Sequence, residues 1–174
     1  KARDYGASIL WDVGVAPGLS NMLLAVADRK MGPLAKAEVW VGGNPTGPYG
    51  EWFYMAPFSP TDVIAEYSRP ARVIRDGEME AFLTDGLRSV LSSIPAVEMS
   101  EFTVRWPGHI QKYIDERDAG TLDEEDVVRQ WWYDHKIPEF TWMRVRAQNR
   151  KGEVMEWELE DYGGDDGHSM ARST

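Results

Sequence analysis

Two runs that alternate between polar and apolar residues, Phe140 to Ala147 and Glu153 to Glu160, stand on either side of Arg150-Lys151-Gly152. Period-two alternation is what a strand with one covered face requires. With Arg150 and Lys151 at the centre of a type I turn and Gly152 in the left-handed position, the register pairs Arg146 with Glu156 and Arg144 with Glu158. The same register sets Met143, Val145 and Ala147 against Leu159, Trp157 and Met155. A slip of one residue would put arginines opposite methionines. The chain is thereby committed to an antiparallel sheet, charged on one face and covered on the other.

The 174 residues, 43% of them hydrophobic, are enough for one core without a covalent staple. The absence of cysteine removes disulfides, thiolate nucleophiles and Cys-ligated zinc. His109, His135 and His168 are dispersed, with no pair at i, i+4, so no metal site is expected. A net charge of −10, with the basic residues scattered, speaks against nucleic acid. No apolar run reaches the ~18 residues of a membrane span, and Lys1 to Gly6 lacks the apolar stretch of a signal peptide. The expectation is a soluble cytoplasmic protein with no membrane partner. There is no G-x-S-x-G, no G-x-G-x-x-G and no P-loop lysine.

Near the start, Ala7 to Trp11 reads as a buried strand. Asp12-Val-Gly-Val-Ala-Pro-Gly-Leu-Ser-Asn21 then turns into a helix whose apolar positions Leu19, Met22, Leu23, Val26 and Met31 share one face. A Gly/Pro-rich turn from strand to helix leaves backbone N–H groups at a sheet edge, where anions bind. A tight corner with no ligand explains the same residues. Further strands are expected at Ala37–Val41, Glu51–Met55, Arg69–Arg75 and Met99–Trp106. Helices are expected at Pro60–Tyr67, Asp85–Ile94 and His109–Arg117. Another should open at the capping box Thr121-Leu-Asp-Glu124 and turn Val127, Val128, Trp131 and Trp132 inward. Eight tryptophans suit core or interface packing.

Arginine or histidine recurs beside turn-forming residues: Arg69-Pro70, Asp85-Gly86 with Arg88, and Arg105-Trp-Pro-Gly-His109. Arginine grips carboxylates in bidentate fashion, so such a set can line a pocket for an amino acid. Surface pairing with the 29 acidic residues is the alternative.

Six blocks in order, spanning nearly the whole chain, carry a family resemblance. They are Asp12 to Asn21, Val41-Gly-Gly-Asn-Pro45, Glu66-Tyr-Ser-Arg-Pro-Ala71, Glu80-Ala-Phe-Leu-Thr-Asp-Gly-Leu-Arg-Ser89, Thr103-Val-Arg-Trp-Pro-Gly-His109 and Ser169-Met-Ala-Arg172. The chain resembles the C-terminal domain of the saccharopine dehydrogenase family, and looks most like its bacterial and archaeal lysine 6-dehydrogenase-like members. The segment between Arg75 and Glu80 is shorter than the family pattern.

The resemblance implies an α/β fold of the α+β type. Its sheet is mixed and largely antiparallel with helices packed on one face, similar to the C-terminal domain of glyceraldehyde-3-phosphate dehydrogenase. It implies that residues 1–17 are a remnant of a nucleotide-binding domain and its junction, 18–167 a substrate and dimerisation domain, and 168–174 a truncated return helix. The missing N-terminal Rossmann domain is the implied partner, and a homodimer the implied assembly. NAD or NADP is implied for the full-length enzyme, with none expected bound to this chain alone. The implied reaction is hydride removal from the CH–NH group of a lysine- or saccharopine-like amino acid, leaving an imine.

Arg69, Arg88, Arg105 and Asn21 are the candidate substrate-binding residues, and Gly14, Ala16, Pro17 and Gly18 the candidate cofactor-binding ones. Asp85 and His109 are the candidate catalytic pair, able to order water or exchange protons; a helix-cap or dimer-interface role for His109 stays open. The competing function is a non-catalytic oligomerisation or carboxylate-binding module.

Overall fold

The alternating runs of the sequence assemble into a six-stranded sheet of order β3-β2-β4-β1-β5-β6 in a computed structural model that describes residues 3–76, 78–83, 87–165 and 167–174. The strands are β1 (Leu34–Pro45), β2 (Pro70–Arg75), β3 (Glu78–Leu83), β4 (Ala96–Thr103), β5 (Glu139–Asn149) and β6 (Val154–Tyr162). Every neighbouring pair is antiparallel except β1 with β4. The sheet is therefore mixed and largely antiparallel, as the resemblance implied. That one parallel pair brings the carboxyl ends of two strands to the same edge, with Val41 beside Thr103.

β5 and β6 pair in the register read from the sequence: Arg146 opposes Glu156, Arg144 opposes Glu158, and Met143, Val145 and Ala147 oppose Leu159, Trp157 and Met155. Gly152 sits at φ 88, the left-handed conformation the turn needs. The apolar side chains of this face are covered by helix α1 (Leu19–Met31), which buries Leu24 and Ala27. α1 closes at Gly32, whose backbone N–H bonds to the Asp28 carbonyl. On the opposite face Trp40 stacks on Phe102 at 5.5 Å, and Arg144 reaches both Glu156 and the Trp40 ring.

A second, aromatic cluster forms between helices α2 (Pro60–Ser68), α4 (His109–Ala119) and α5 (Glu124–Gln130) and the loop through Trp52 and Tyr54. Short helices α3 (Val90–Ser93) and α6 (Ser169–Arg172) complete the fold.

Five expectations are corrected. Ala7 to Trp11 is not a strand: Leu10 and Trp11 are 83% and 71% exposed, so the alternation has no partner strand among the described residues. Glu51 to Met55 is a turn, with Phe53 at φ 54, and its alternation instead drives Trp52 and Tyr54 into the aromatic cluster. The helix expected over 85–94 is confined to Val90–Ser93 among the described residues. The cap of α5 is Asp123, which accepts from the N–H groups of Glu125 and Asp126, while the Thr121 hydroxyl bonds back to the Glu116 carbonyl. Trp132 is 66% exposed: α5 ends at Gln130, two residues before it, and Trp131 is the one that is buried.

Candidate active site

The parallel pair positions a cleft of about 460 Å³ at the carboxyl ends of β1 and β4. Val41 to Gly43 and Thr103 form its floor, and the corner from Asp12 to Pro17 one wall. α2 contributes Asp62 and Glu66, the residue that follows it is Arg69, and α6 contributes Met170. Open α/β sheets characteristically bind ligands at such an edge.

The corner is held by its own backbone. Gly14 donates to the Pro17 carbonyl at 2.9 Å, Leu19 to Gly14 at 2.8 Å and Ser20 to Val15 at 3.0 Å. Gly18 takes φ 148, and a Cβ there would run into the Gly14 backbone. The Ala16–Pro17 bond is cis. Because Leu19 and Ser20 spend their N–H groups on the corner, the opening of α1 has lost donors that a diphosphate cradle would use.

The Asp12 carboxylate lies between Arg88 Nε, 3.3 Å away, and the Ser89 backbone N–H, 3.2 Å away. Asn21 Nδ2 donates to Ser89 Oγ at 3.0 Å. Arg88 is exposed toward the cleft, whereas Asn21 and Gly18 brace the corner from outside its lining.

Arg105 leaves the end of β4 on a loop that is anchored to β1 by a 2.8 Å bond from Trp106 Nε1 to the Pro45 carbonyl. Its guanidinium sits 4.7 Å over the Tyr54 ring, donates from Nε to the Tyr67 hydroxyl and from Nη1 to the Val104 carbonyl, and lies 3.7 Å from Glu66. Burial pushes the Glu66 carboxyl up and Arg105 partly offsets it. His109 opens α4 after Gly108, which is left-handed at φ 97. The ring is wholly buried, with Nε2 3.0 Å from the Tyr67 hydroxyl and Nδ1 2.9 Å from the Trp52 carbonyl. Burial lowers its pKa to about 4, with Arg105 adding to the shift and the Trp52 carbonyl opposing it.

Of the residues singled out by sequence, Arg69, Arg88, Arg105, Gly14, Ala16 and Pro17 line this one cleft. His109 is not among the lining residues and stands behind the cleft, bonded to the Tyr67 hydroxyl, which in turn accepts from Arg105. Asp85 lies outside the described residues. Sequence reasoning passed over Asp62, Glu66, Glu101 and Tyr67. The i, i+4 spacing of Asp62 and Glu66 puts two carboxylates on one face of α2, with Arg69 just past its end, a signal the sequence carries. Among the described residues no group of three His, Asp or Glu could hold a metal ion, and no helix is long and apolar enough to cross a membrane.

No family model matches the chain. Its structure is similar to that of apo histidine-tagged saccharopine dehydrogenase (L-Glu forming) from Saccharomyces cerevisiae, at 13% identity and a TM-score of 0.59. The likeness covers 92% of this chain and 61% of that one, so this chain spans under two-thirds of that enzyme's length. At this identity the comparison establishes a shared fold, mixed α/β with an open and mostly antiparallel sheet.

Proposed function

We propose that this chain is the substrate-binding and dimerisation domain of an NAD(P)-dependent dehydrogenase acting on the CH–NH group of a lysine- or saccharopine-like amino acid. The observation that carries the reading is the convergence of Arg69, Arg88 and Arg105, from three separate segments, on one cleft. The same cleft carries Asp12, Asp62, Glu66 and Glu101. A mixed lining of this kind suits a ligand with both carboxylate and ammonium groups better than a simple anion.

Residues 1–17 would belong to the junction with a nucleotide-binding domain. Ile9, Leu10, Trp11 and Val13 are all exposed, as apolar side chains awaiting a covering domain would be. Residues 18–167 would form the substrate domain and 168–174 the return helix. Gly14, Ala16 and Pro17 would then edge the cofactor's site without cradling its diphosphate. NAD or NADP would supply the hydride acceptor, and the chain's own task would be to hold the amino acid in place.

The test is an assay of the intact enzyme for NADH or NADPH formation from lysine and from saccharopine, beside calorimetric titration of this chain with both. Turnover of either, abolished by Arg88→Ala with Arg69→Ala, supports the reading. Absence of turnover and of binding overturns it. Internal use of the corner's N–H groups favours a second reading, a carboxylate-binding and oligomerisation module without catalysis. That reading predicts binding and a dimer in sedimentation, with no turnover.

A further inference from the structure

Arg105 is enclosed more completely than a side chain held only by its ligand. It is 3% exposed, its Nε is committed to Tyr67 and its Nη1 donates to Val104. Nη2 lies 3.7 Å from the Glu66 carboxylate, beyond hydrogen-bond reach, so both of its N–H groups are without a hydrogen-bond partner among the described residues.

The protons behind Arg105 can be placed by elimination. A backbone carbonyl only accepts, so the Trp52 contact requires the proton of a neutral His109 on Nδ1. Nε2 is then an acceptor. The Tyr67 oxygen must accept from Arg105 Nε, and its single proton goes to His109 Nε2. In the neutral ring this is the one arrangement that satisfies all three contacts. The surrounding aromatic cluster is less accommodating: the Tyr54 hydroxyl and Trp131 Nε1 are buried with no hydrogen-bond partner among the described residues. Within this cluster, bonded polar groups run from the Trp52 carbonyl through His109 and Tyr67 to Arg105.

We propose that Tyr67 and His109 are positioning residues for the cleft, a buried relay that fixes the Arg105 guanidinium so that Nη2 is presented to the ligand's carboxylate. The proposal rests on the carboxylate-binding reading above. It gives His109 a role that needs no proton exchange with substrate, in keeping with its place behind the cleft wall. The low His109 pKa keeps the ring neutral, and the relay ordered, at neutral pH.

The experiment uses the chain labelled with ¹⁵N and glutarate as the probe. In the wild type the His109 nitrogens should report a proton on Nδ1 and none on Nε2, and the Arg105 Nε–H should exchange slowly with solvent. Tyr67→Phe keeps the ring and removes the hydroxyl. It should speed that exchange and weaken glutarate binding about tenfold, the worth of one charge-assisted hydrogen bond. His109→Gln, which keeps an acceptor for Tyr67, should bind more tightly than His109→Leu. A proton on Nε2, or wild-type exchange and affinity in Tyr67→Phe, overturns the relay while leaving the carboxylate reading intact. A wild-type chain that binds no glutarate overturns both.

Discussion

The Asp12 carboxylate accepts the backbone N–H of Ser89, 77 positions further along the chain, at 3.2 Å. Arg88 Nε approaches its other oxygen at 3.3 Å, and the carboxylate itself is only 5% exposed. Asp12 also adopts φ 56, a left-handed conformation that Asn and Asp tolerate better than other side chains. One residue therefore fixes both the conformation of the corner and its attachment to α3. Asp12→Asn should retain the bond to Ser89 and cost about 1 kcal/mol, whereas Asp12→Ala should cost roughly 2–3 kcal/mol by orphaning the Ser89 N–H and straining the backbone. Urea midpoints of the two variants check this; equal losses would show that charge alone matters.

Gly18 makes the corner possible through the absence of a side chain. Its φ of 148 and the approach of the Gly14 backbone leave no room for a Cβ. Gly18→Ala should destabilise the chain by at least ~2 kcal/mol and open the cleft wall. Gly6→Ala is the control, since nothing lies within 4 Å of a Cβ there and only its φ of 63 opposes the substitution. Thermal unfolding of the two proteins should differ clearly, and similar curves would mean that the corner yields easily.

How far the fold was legible depended on whether the physics was local. The β5–β6 register follows from side-chain alternation and one left-handed glycine, both visible in the sequence. Leu19–Met31 likewise has its periodicity and its closing Gly32 written locally. Alternation at Glu51 to Met55 misled because a loop can bury Trp52 and Tyr54 as readily as a strand can. The arginines of the cleft stood out because they flank turns. Asp62 and Glu66 did not, since acidic residues on a helix ordinarily face water. The bond from Tyr67 to His109 joins residues 42 positions apart, and no local pattern encodes it.

His109 should make stability depend on pH in the acid range. Its folded pKa of about 4 lies below the ordinary value of 6.5, with burial the main cause. Between those values the unfolded chain binds the proton that the folded chain refuses, so stability rises with pH. The contribution is fully present above pH 6.5 and is lost as pH falls toward 4, an amplitude of about 3 kcal/mol. Carboxylates add their own acid dependence, so the measurement is a difference. His109→Gln should show a shallower loss of unfolding free energy between pH 7 and 4.5 than the wild type. Parallel curves would sink the assignment.

Glu139 ties the far wall of the cleft to the sheet. It is buried at the start of β5, where one carboxylate oxygen accepts the Ser169 backbone N–H at 2.7 Å and the other the Ser169 hydroxyl at 2.5 Å. Since that hydroxyl gives its proton to Glu139, Thr141 must be the donor in the 2.7 Å contact between Thr141 and Ser169. Gly163 packs so closely that a Cβ there would meet the carboxylate, and its N–H bonds to the Glu139 carbonyl. The anchored helix is α6, which carries Met170 into the cleft. Glu139→Gln presents an amide N–H where an acceptor is needed, but the Ser169 hydroxyl can rotate to receive it, so the loss should stay near 1 kcal/mol. Glu139→Ala leaves two buried donors unpaired and a void behind α6, and should cost roughly 3 kcal/mol. Its effect should also be local. Hydrogen exchange over residues 169–172 should accelerate far more than exchange in β5 and β6, and glutarate affinity should fall as the wall loosens. Uniform acceleration across the sheet would instead make Glu139 a general stabiliser with no particular hold on the cleft.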